Sequence, residues 1–233
     1  MPDIGSPQTA RGVHAADIDG DGDMDVFSAS HGDHTFAWYE NTDGAGNFGS
    51  QQVIDSGIPN GKSAQYVDTG DIDGDGDLDV VTAGRSCGVA WYENTDGSGT
   101  FGSRQEIVVP WNSDIPYQWM RAQAADIDGD GDLDVVAGCY SQDRVAWFQN
   151  DGSGNFGSMQ VISTAVAVYD MYAADLDGDG DIDVLVASYS DNKVAWYRND
   201  DGSGTFSSQQ TSMAMVCLIL SPQLPEHMKF TCG

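Results

Sequence analysis

The feature that most constrains this chain is a long internal repeat. The phrase Asp-x-Asp-Gly-Asp-Gly-Asp-x-Asp occurs at residues 17–25, 71–79, 126–134 and 175–183, so first-Asp spacings are 54, 55 and 49 residues. Twelve or 13 residues after each phrase comes a second landmark: Trp38-Tyr39-Glu40-Asn41, Trp91-Tyr92-Glu93-Asn94, Trp147-Phe148-Gln149-Asn150 and Trp196-Tyr197-Arg198-Asn199. A Gly-rich turn then leads to Phe48, Phe101, Phe156 or Phe206. A period near 50 with several short strands per unit marks a propeller or another repeat array. One such unit cannot bury its own apolar faces, so neighbours must stack.

Five carboxylates within nine residues repel one another. Two such charges about 4 Å apart cost roughly 1 kcal/mol in water and about 4 at an effective dielectric near 20. Carried four times, this pattern points to a hard cation, and an all-oxygen donor set points to calcium, up to four structural ions. The candidate metal residues are Asp17, Asp19, Asp21, Asp23 and Asp25, then Asp71, Asp73, Asp75, Asp77 and Asp79. The third and fourth loops supply Asp126, Asp128, Asp130, Asp132 and Asp134, and Asp175, Asp177, Asp179, Asp181 and Asp183. Positions 1, 3 and 5 form an inward arc, a glycine at position 6 allows the bend, position 7 offers its carbonyl and position 9 closes the shell. An EF-hand begins alike but needs Glu at position 12 between helices. Here position 12 is Ser28, Thr82, Ala137 or Val186, inside apolar runs that read as strands. A merely solvated acidic turn would not require fixed spacing four times.

Each unit parses as four strands, A to D. Strand A ends in small residues such as Ala15-Ala16 and Ala124-Ala125, which suit an innermost strand. Strand B follows the Asp loop, strand C carries the Trp, and strand D follows the Gly-rich turn. Helical periodicity is absent, and the expected class is all-β: a β-propeller of four-stranded antiparallel blades with four repeats. Residues 1–210 form the array, with blades near 11–54, 64–109, 120–163 and 170–210, and 211–233 form a tail of different composition. The repeated Trp, Tyr and Phe read as core between blades rather than ligand contacts.

The Asp loop between strands A and B, with turns ending in Phe48-Gly49, Phe101-Gly102 and Phe156-Gly157, resembles the FG-GAP/VCBS repeat of integrin-α-type propellers. The resemblance spans about residues 11–210. It implies calcium bound by the Asp side chains at positions 1, 3, 5 and 9 and the carbonyl of position 7, and all four copies match. It also implies ligands taken on the face away from the calcium loops. Phe206-Ser207 departs from the Phe-Gly pattern and predicts an imperfect last blade.

Composition sets further bounds. Thirty-seven acidic and nine basic residues give a formal charge of −28, and four calcium ions would leave it strongly acidic. That excludes a nucleic-acid footprint and speaks against an acidic membrane surface. The apolar run 212–220 is too short to span a bilayer. Cys87, Cys139, Cys217 and Cys232 do not recur in register; structural thiols are expected, with Cys217–Cys232 a weak candidate pair. Calcium loops of modest affinity suggest an extracellular or cell-surface setting, although residues 1–12 contain no signal-peptide segment. Ile4-Gly5-Ser6-Pro7 resembles the connector Gly57-Ile58-Pro59-Asn60, as if the chain began between blades. Either a four-blade piece of a longer array or a small, poorly closed propeller is expected.

Strand order puts the A–B loops and C–D turns on one face. The opposite face collects six of the nine basic residues and the aromatics that do not repeat. Candidate ligand residues there are Trp111, Tyr117, Trp119, Tyr140, Arg144, Tyr189 and Lys193, since exposed aromatic and polar groups on irregular loops suit recognition. Packing of the long connector onto the rim is an equal alternative for Trp111 and Trp119. The leading expectation is a calcium-stabilised binding or adhesion module for carbohydrate or protein. The rivals are a propeller domain of a polysaccharide lyase or hydrolase and an architectural spacer. The turn 94–101 resembles the sialidase Asp-box, but its glycine is one place late. No Gly-x-Ser-x-Gly or His-Glu-x-x-His occurs, and the nearest histidine pair, His31 and His34, reads as loop variation. A non-enzymatic protein is expected.

Overall fold

The computed structural model describes residues 4–56, 63–85, 88–108, 119–164, 167–190 and 192–209. These form four antiparallel sheets, each a four-stranded meander in chain order. Blade 1 contains β1 (Ala10–Ala16), β2 (Asp25–Ser30), β3 (Thr35–Tyr39) and β4 (Gln52–Asp55). Blade 2 contains β5 (Ser63–Gly70), β6 (Asp79–Arg85), β7 (Gly88–Tyr92) and β8 (Gln105–Val108). Blade 3 contains β9 (Trp119–Ala125), β10 (Asp134–Cys139), β11 (Arg144–Phe148) and β12 (Gln160–Ser163). Blade 4 contains β13 (Val168–Ala174), β14 (Asp183–Ser188), β15 (Lys193–Asn199) and β16 (Phe206–Gln209). No helix occurs among the described residues, and the all-β propeller architecture expected from the repeat is the one observed.

Neighbouring blades are joined in the same way each time. The Trp of one blade lies flat on a glycine of the next blade's C–D turn: Trp38 on Gly99, Trp91 on Gly154 and Trp147 on Gly204. A Cβ on any of these glycines would overlap the indole, and their φ angles of 79°, 71° and 75° also favour glycine. The asparagine closing strand C locks the joint. Asn94 Nδ2 donates to the Ile18 carbonyl of blade 1 at 3.0 Å, Asn150 Nδ2 to Ile72 at 2.6 Å, and Asn199 Nδ2 to Ile127 at 2.8 Å. Each also donates to a carbonyl of its own loop, at Leu78, Leu133 or Ile182. The first strands meet one another along the axis, where His14 Nδ1 lies 3.4 Å from Asp68 Oδ1 and Arg121 pairs with Asp170 at 2.9 Å.

Blade 1 does not rest on blade 4 in this fashion. Gly46, the counterpart of the three socket glycines, has nothing within 4 Å of where its Cβ would be. Val13 is 69% exposed, whereas its repeat counterpart Val67 is fully buried. Segment 4–9 instead covers part of blade 1, with Gly5 against the Tyr39 ring. In blades 2 and 4 the same tyrosine reaches the outer strand of the preceding blade, Tyr92 to Asp55 and Tyr197 to Ser163.

Blade 4, which carries Phe206-Ser207, also differs in how strands C and D pair over the described residues. In blades 1 to 3 the Asn–Phe pair is an isolated bridge beyond a shift in the C–D register. In blade 4 pairing runs unbroken from Trp196–Gln209 to Asn199–Phe206.

The clasp gives a stability prediction. Asn150→Ala leaves two buried carbonyls without a donor and should cost about 1–3 kcal/mol. Asn41→Ala loses a bond to the Met24 carbonyl at 3.3 Å and one from Gly46 N at 3.1 Å, both within its own blade and neither to a neighbouring blade, and should cost less. Urea unfolding of the two variants checks the order, and equal losses would contradict it.

Candidate functional site

Each Asp loop is a turn whose backbone is organised by its own carboxylates. Asp17 Oδ2 accepts from Gly22 N at 3.0 Å, and Asp71, Asp126 and Asp175 accept from the position-6 glycine at 3.1 Å. Those glycines have φ between 95° and 98°, the left-handed bend expected of them. Position 5 accepts from the N–H of position 7, as in Asp21 to Asp23 at 2.9 Å. The carboxylates at position 7 (Asp23, Asp77, Asp132, Asp181) lie against Gly44, Gly97, Gly152 and Gly202 of the C–D turn. The A–B loops and C–D turns therefore share one face.

The position-9 aspartates are buried and hold the two segments together. Asp25 Oδ1 accepts from Asn41 N at 2.8 Å and its Oδ2 from Ile18 N at 3.1 Å. Asp79, Asp134 and Asp183 make the same two bonds to Asn94 and Ile72, Asn150 and Ile127, and Asn199 and Leu176. Sequence reasoning assigned these residues only to a metal shell and overlooked the strand-C asparagine. The signal was present, since the Asn recurs in all four units.

Positions 1, 3 and 9 come together in every loop. Asp17, Asp19 and Asp25 each bring an oxygen within 4.8 Å of the others, as do Asp71, Asp73 and Asp79, Asp126, Asp128 and Asp134, and Asp175, Asp177 and Asp183. Positions 5 and 7 do not belong to these triads. Asp17 Oδ1 and Asp128 Oδ1 are buried and accept from no partner. Such uncompensated oxygens, converging with two further carboxylates, fit a cation. Burial pushes Asp79 and Asp134 up to about 7, helped by Asp73 and Asp75 or Asp128 and Asp130 and opposed by the two backbone N–H bonds. Asp25 and Asp183 shift up for the same leading reason. The fourth loop differs in that Arg198 bonds Asp179 and holds its carboxyl below the ordinary range.

On the opposite face Tyr140, Tyr169, Tyr189 and Met120 line a pocket of about 410 Å³ between blades 3 and 4. Tyr169 and Tyr189 are 57% and 67% exposed, with ring centroids 6.1 Å apart. Two hydrogen bonds frame the pocket: Tyr189 N donates to the Ala167 carbonyl at 3.0 Å, and Ala167 N to Asp143 Oδ1 at 2.7 Å. Of the candidate ligand residues, Tyr140 and Tyr189 meet here. Arg144 and Lys193 begin β11 and β15 on the same face without lining the pocket. Trp119 is corrected: it is 1% exposed and packs edge-on against Phe148, so it is core. Trp111 and Tyr117 lie outside the described residues, as do Cys87, Cys217, Cys232 and the tail. Cys139 is buried, with its Sγ 3.8 Å from Ser141 Oγ. Tyr169 and Met120 were missed, although a tyrosine stands at 169 where the other repeats carry Arg11, Gln65 and Met120.

Fold and site together define a propeller-type repeat protein with one acidic, metal-capable loop per blade. The FG-GAP-like repeat model matches residues 17–82, 71–137, 126–186 and 175–216, and the chain belongs to that family. No curated protein sequence matches it. Among solved structures it is similar to an Agrocybe aegerita lectin described by its specific recognition of non-reducing terminal N-acetylglucosamine. The identity is 24% and the TM-score 0.58, covering 86% of this chain and 52% of the lectin. The chain thus spans about half the lectin's length. The V. cholerae biofilm matrix protein Bap1 matches with 20% identity and a TM-score of 0.48, over 87% of this chain and 28% of that one.

The raised carboxylates give a pH prediction for the metal-free protein. Their folded pKa values lie above the unfolded value of 3.8, so the folded state binds more protons between about 4 and 7. Their contribution is full below that window and is lost as pH rises through it. In chelator, the melting temperature should be higher at pH 5 than at pH 8, and the reverse order would contradict the assignment.

Proposed function

We propose that the chain is a non-enzymatic, extracellular binding or adhesion module, braced by calcium at its Asp loops, that takes carbohydrate or protein on the opposite face. The observation that carries this reading is the pocket between blades 3 and 4. Two exposed tyrosines close together offer flat apolar surface beside hydroxyl donors and acceptors, which suits a sugar ring's mix of C–H faces and hydroxyls. Carbohydrate is therefore the first ligand to test. The described lining residues are three phenols and a thioether, without the pair of carboxylates that glycoside hydrolysis uses. The similar lectin supports the fold at its 24% identity; the ligand reading rests on the pocket.

Calcium fits the triads because three convergent carboxylates form a hard, all-oxygen donor set. When bound it would neutralise their mutual repulsion. Asp25, Asp79, Asp134 and Asp183 would then hold loop and strand C together with no exposed loop carboxylate pulling the turn open. The extracellular assignment follows from where such loops find enough calcium.

Two outcomes are expected. Calcium at a hundredfold excess over Kd should add about 2.7 kcal/mol per filled independent site, so chelator should lower the melting temperature sharply. Unchanged melting would defeat the calcium reading. On a glycan array that includes chains ending in N-acetylglucosamine, Tyr189→Ala should weaken binding about tenfold or more. Its melting temperature should not move. Undiminished binding by this variant would remove the pocket from the reading.

A further inference from the structure

The four repeats differ in charge at one position near the Asp loops. The residue before the clasp asparagine is Glu40, Glu93, Gln149 and Arg198 in blades 1 to 4. In two blades its side chain meets the aspartate at position 3 of the loop directly. Gln149 Nε2 donates to Asp128 Oδ2 at 2.5 Å, and Arg198 Nε lies 2.9 Å from Asp177 Oδ2. Arg198 reaches further: Nη2 is 2.8 Å from Asp179 Oδ2, and Nε is 3.4 Å from Asp200 Oδ1. The guanidinium thus spans positions 3 and 5 of a loop whose triad is Asp175, Asp177 and Asp183.

We propose that Arg198 is a built-in counter-cation for the fourth Asp loop, holding it in shape without metal and making it the weakest calcium site of the four. The proposal rests on the reading that the loops bind calcium. A guanidinium is permanently charged, and its planar fork matches carboxylates. Asp177 cannot give its full charge to a divalent ion while paired with it, and the ion meets a like charge a few ångströms away. For a divalent ion and a unit charge roughly 6 Å apart, at effective dielectrics near 40 to 80 as suits a solvent-open pair, this should cost about 10- to 100-fold in affinity. Part of the effect should be screened by salt, since the pair is partly open to solvent. Glu40 and Glu93 place a negative charge at the same repeat position, and Gln149 places none. The first two loops should accordingly bind most tightly and the third in between.

Calorimetric titration of the full chain with calcium, beside Arg198→Gln and Arg198→Glu, tests this. Wild type should show three tighter sites and one about 10- to 100-fold weaker. Arg198→Gln, which copies blade 3, should bring the fourth into the tighter class, and Arg198→Glu should tighten it further. Lys193→Gln, at the other end of the same strand, should leave the calcium isotherm unchanged. The melting temperature adds a readout with a sign: Arg198→Gln should be less stable than wild type in chelator yet gain more from calcium. Four equal sites in wild type, or a weak site unmoved by Arg198→Gln, would overturn the role of Arg198 while leaving calcium binding intact. No heat of binding at any site would overturn the calcium reading and this one with it.

Discussion

A carboxylate withdrawn from water usually needs a counter-ion, yet the position-9 aspartate of each loop is buried and held by two backbone N–H groups from different segments. One bond fixes the loop's second residue and the other the end of strand C. Around this anchor the remaining geometry follows. The loop returns beside the C–D turn, the clasp asparagine is aimed at the neighbouring blade, and the triad oxygens converge. The desolvation that raises these carboxyls is also what makes the site favourable for a cation.

The joint between blades depends on the same residues. Asparagine is presented by a strand whose end the aspartate has fixed, and the glycine socket belongs to the turn that the asparagine opens. In three of the four blades the Asn Oδ1 accepts from that socket glycine, at about 3 Å. Loop order and blade packing are therefore one structural unit, and a cation held by the loops would act on the core through it.

Much of the fold was legible because the repeat carries its own register. The Asp phrase, the Trp landmark and the Phe turn located three of the four inter-strand connections, and small residues marked the strands that meet at the axis. The twenty aspartates were less legible by role. Spacing alone could not tell that Asp23 and its counterparts turn toward the C–D glycines, or that Asp25 and its counterparts serve the backbone as well as the triad. Nor could it tell that Trp119, in a non-repeating stretch, would be buried against Phe148. Recognition surfaces are hardest to read for the same reason. The Tyr169–Tyr189 pair is set by the register of β13 against β14 within blade 4, while Met120 and Tyr140 reach the same pocket from blade 3, and no local spacing records either.

Each of the three Trp–glycine and Asn–carbonyl joints is made between the end of one repeat and the turn or loop of its neighbour, with none of these groups reserved for a particular blade number. Duplication or loss of a whole unit would thus preserve the chemistry of all remaining joints, whereas a deletion within a unit would break two. The packing fixes the phase of the repeat and leaves its count free. Chains of this design can lengthen or shorten by blades during evolution without inventing new contacts.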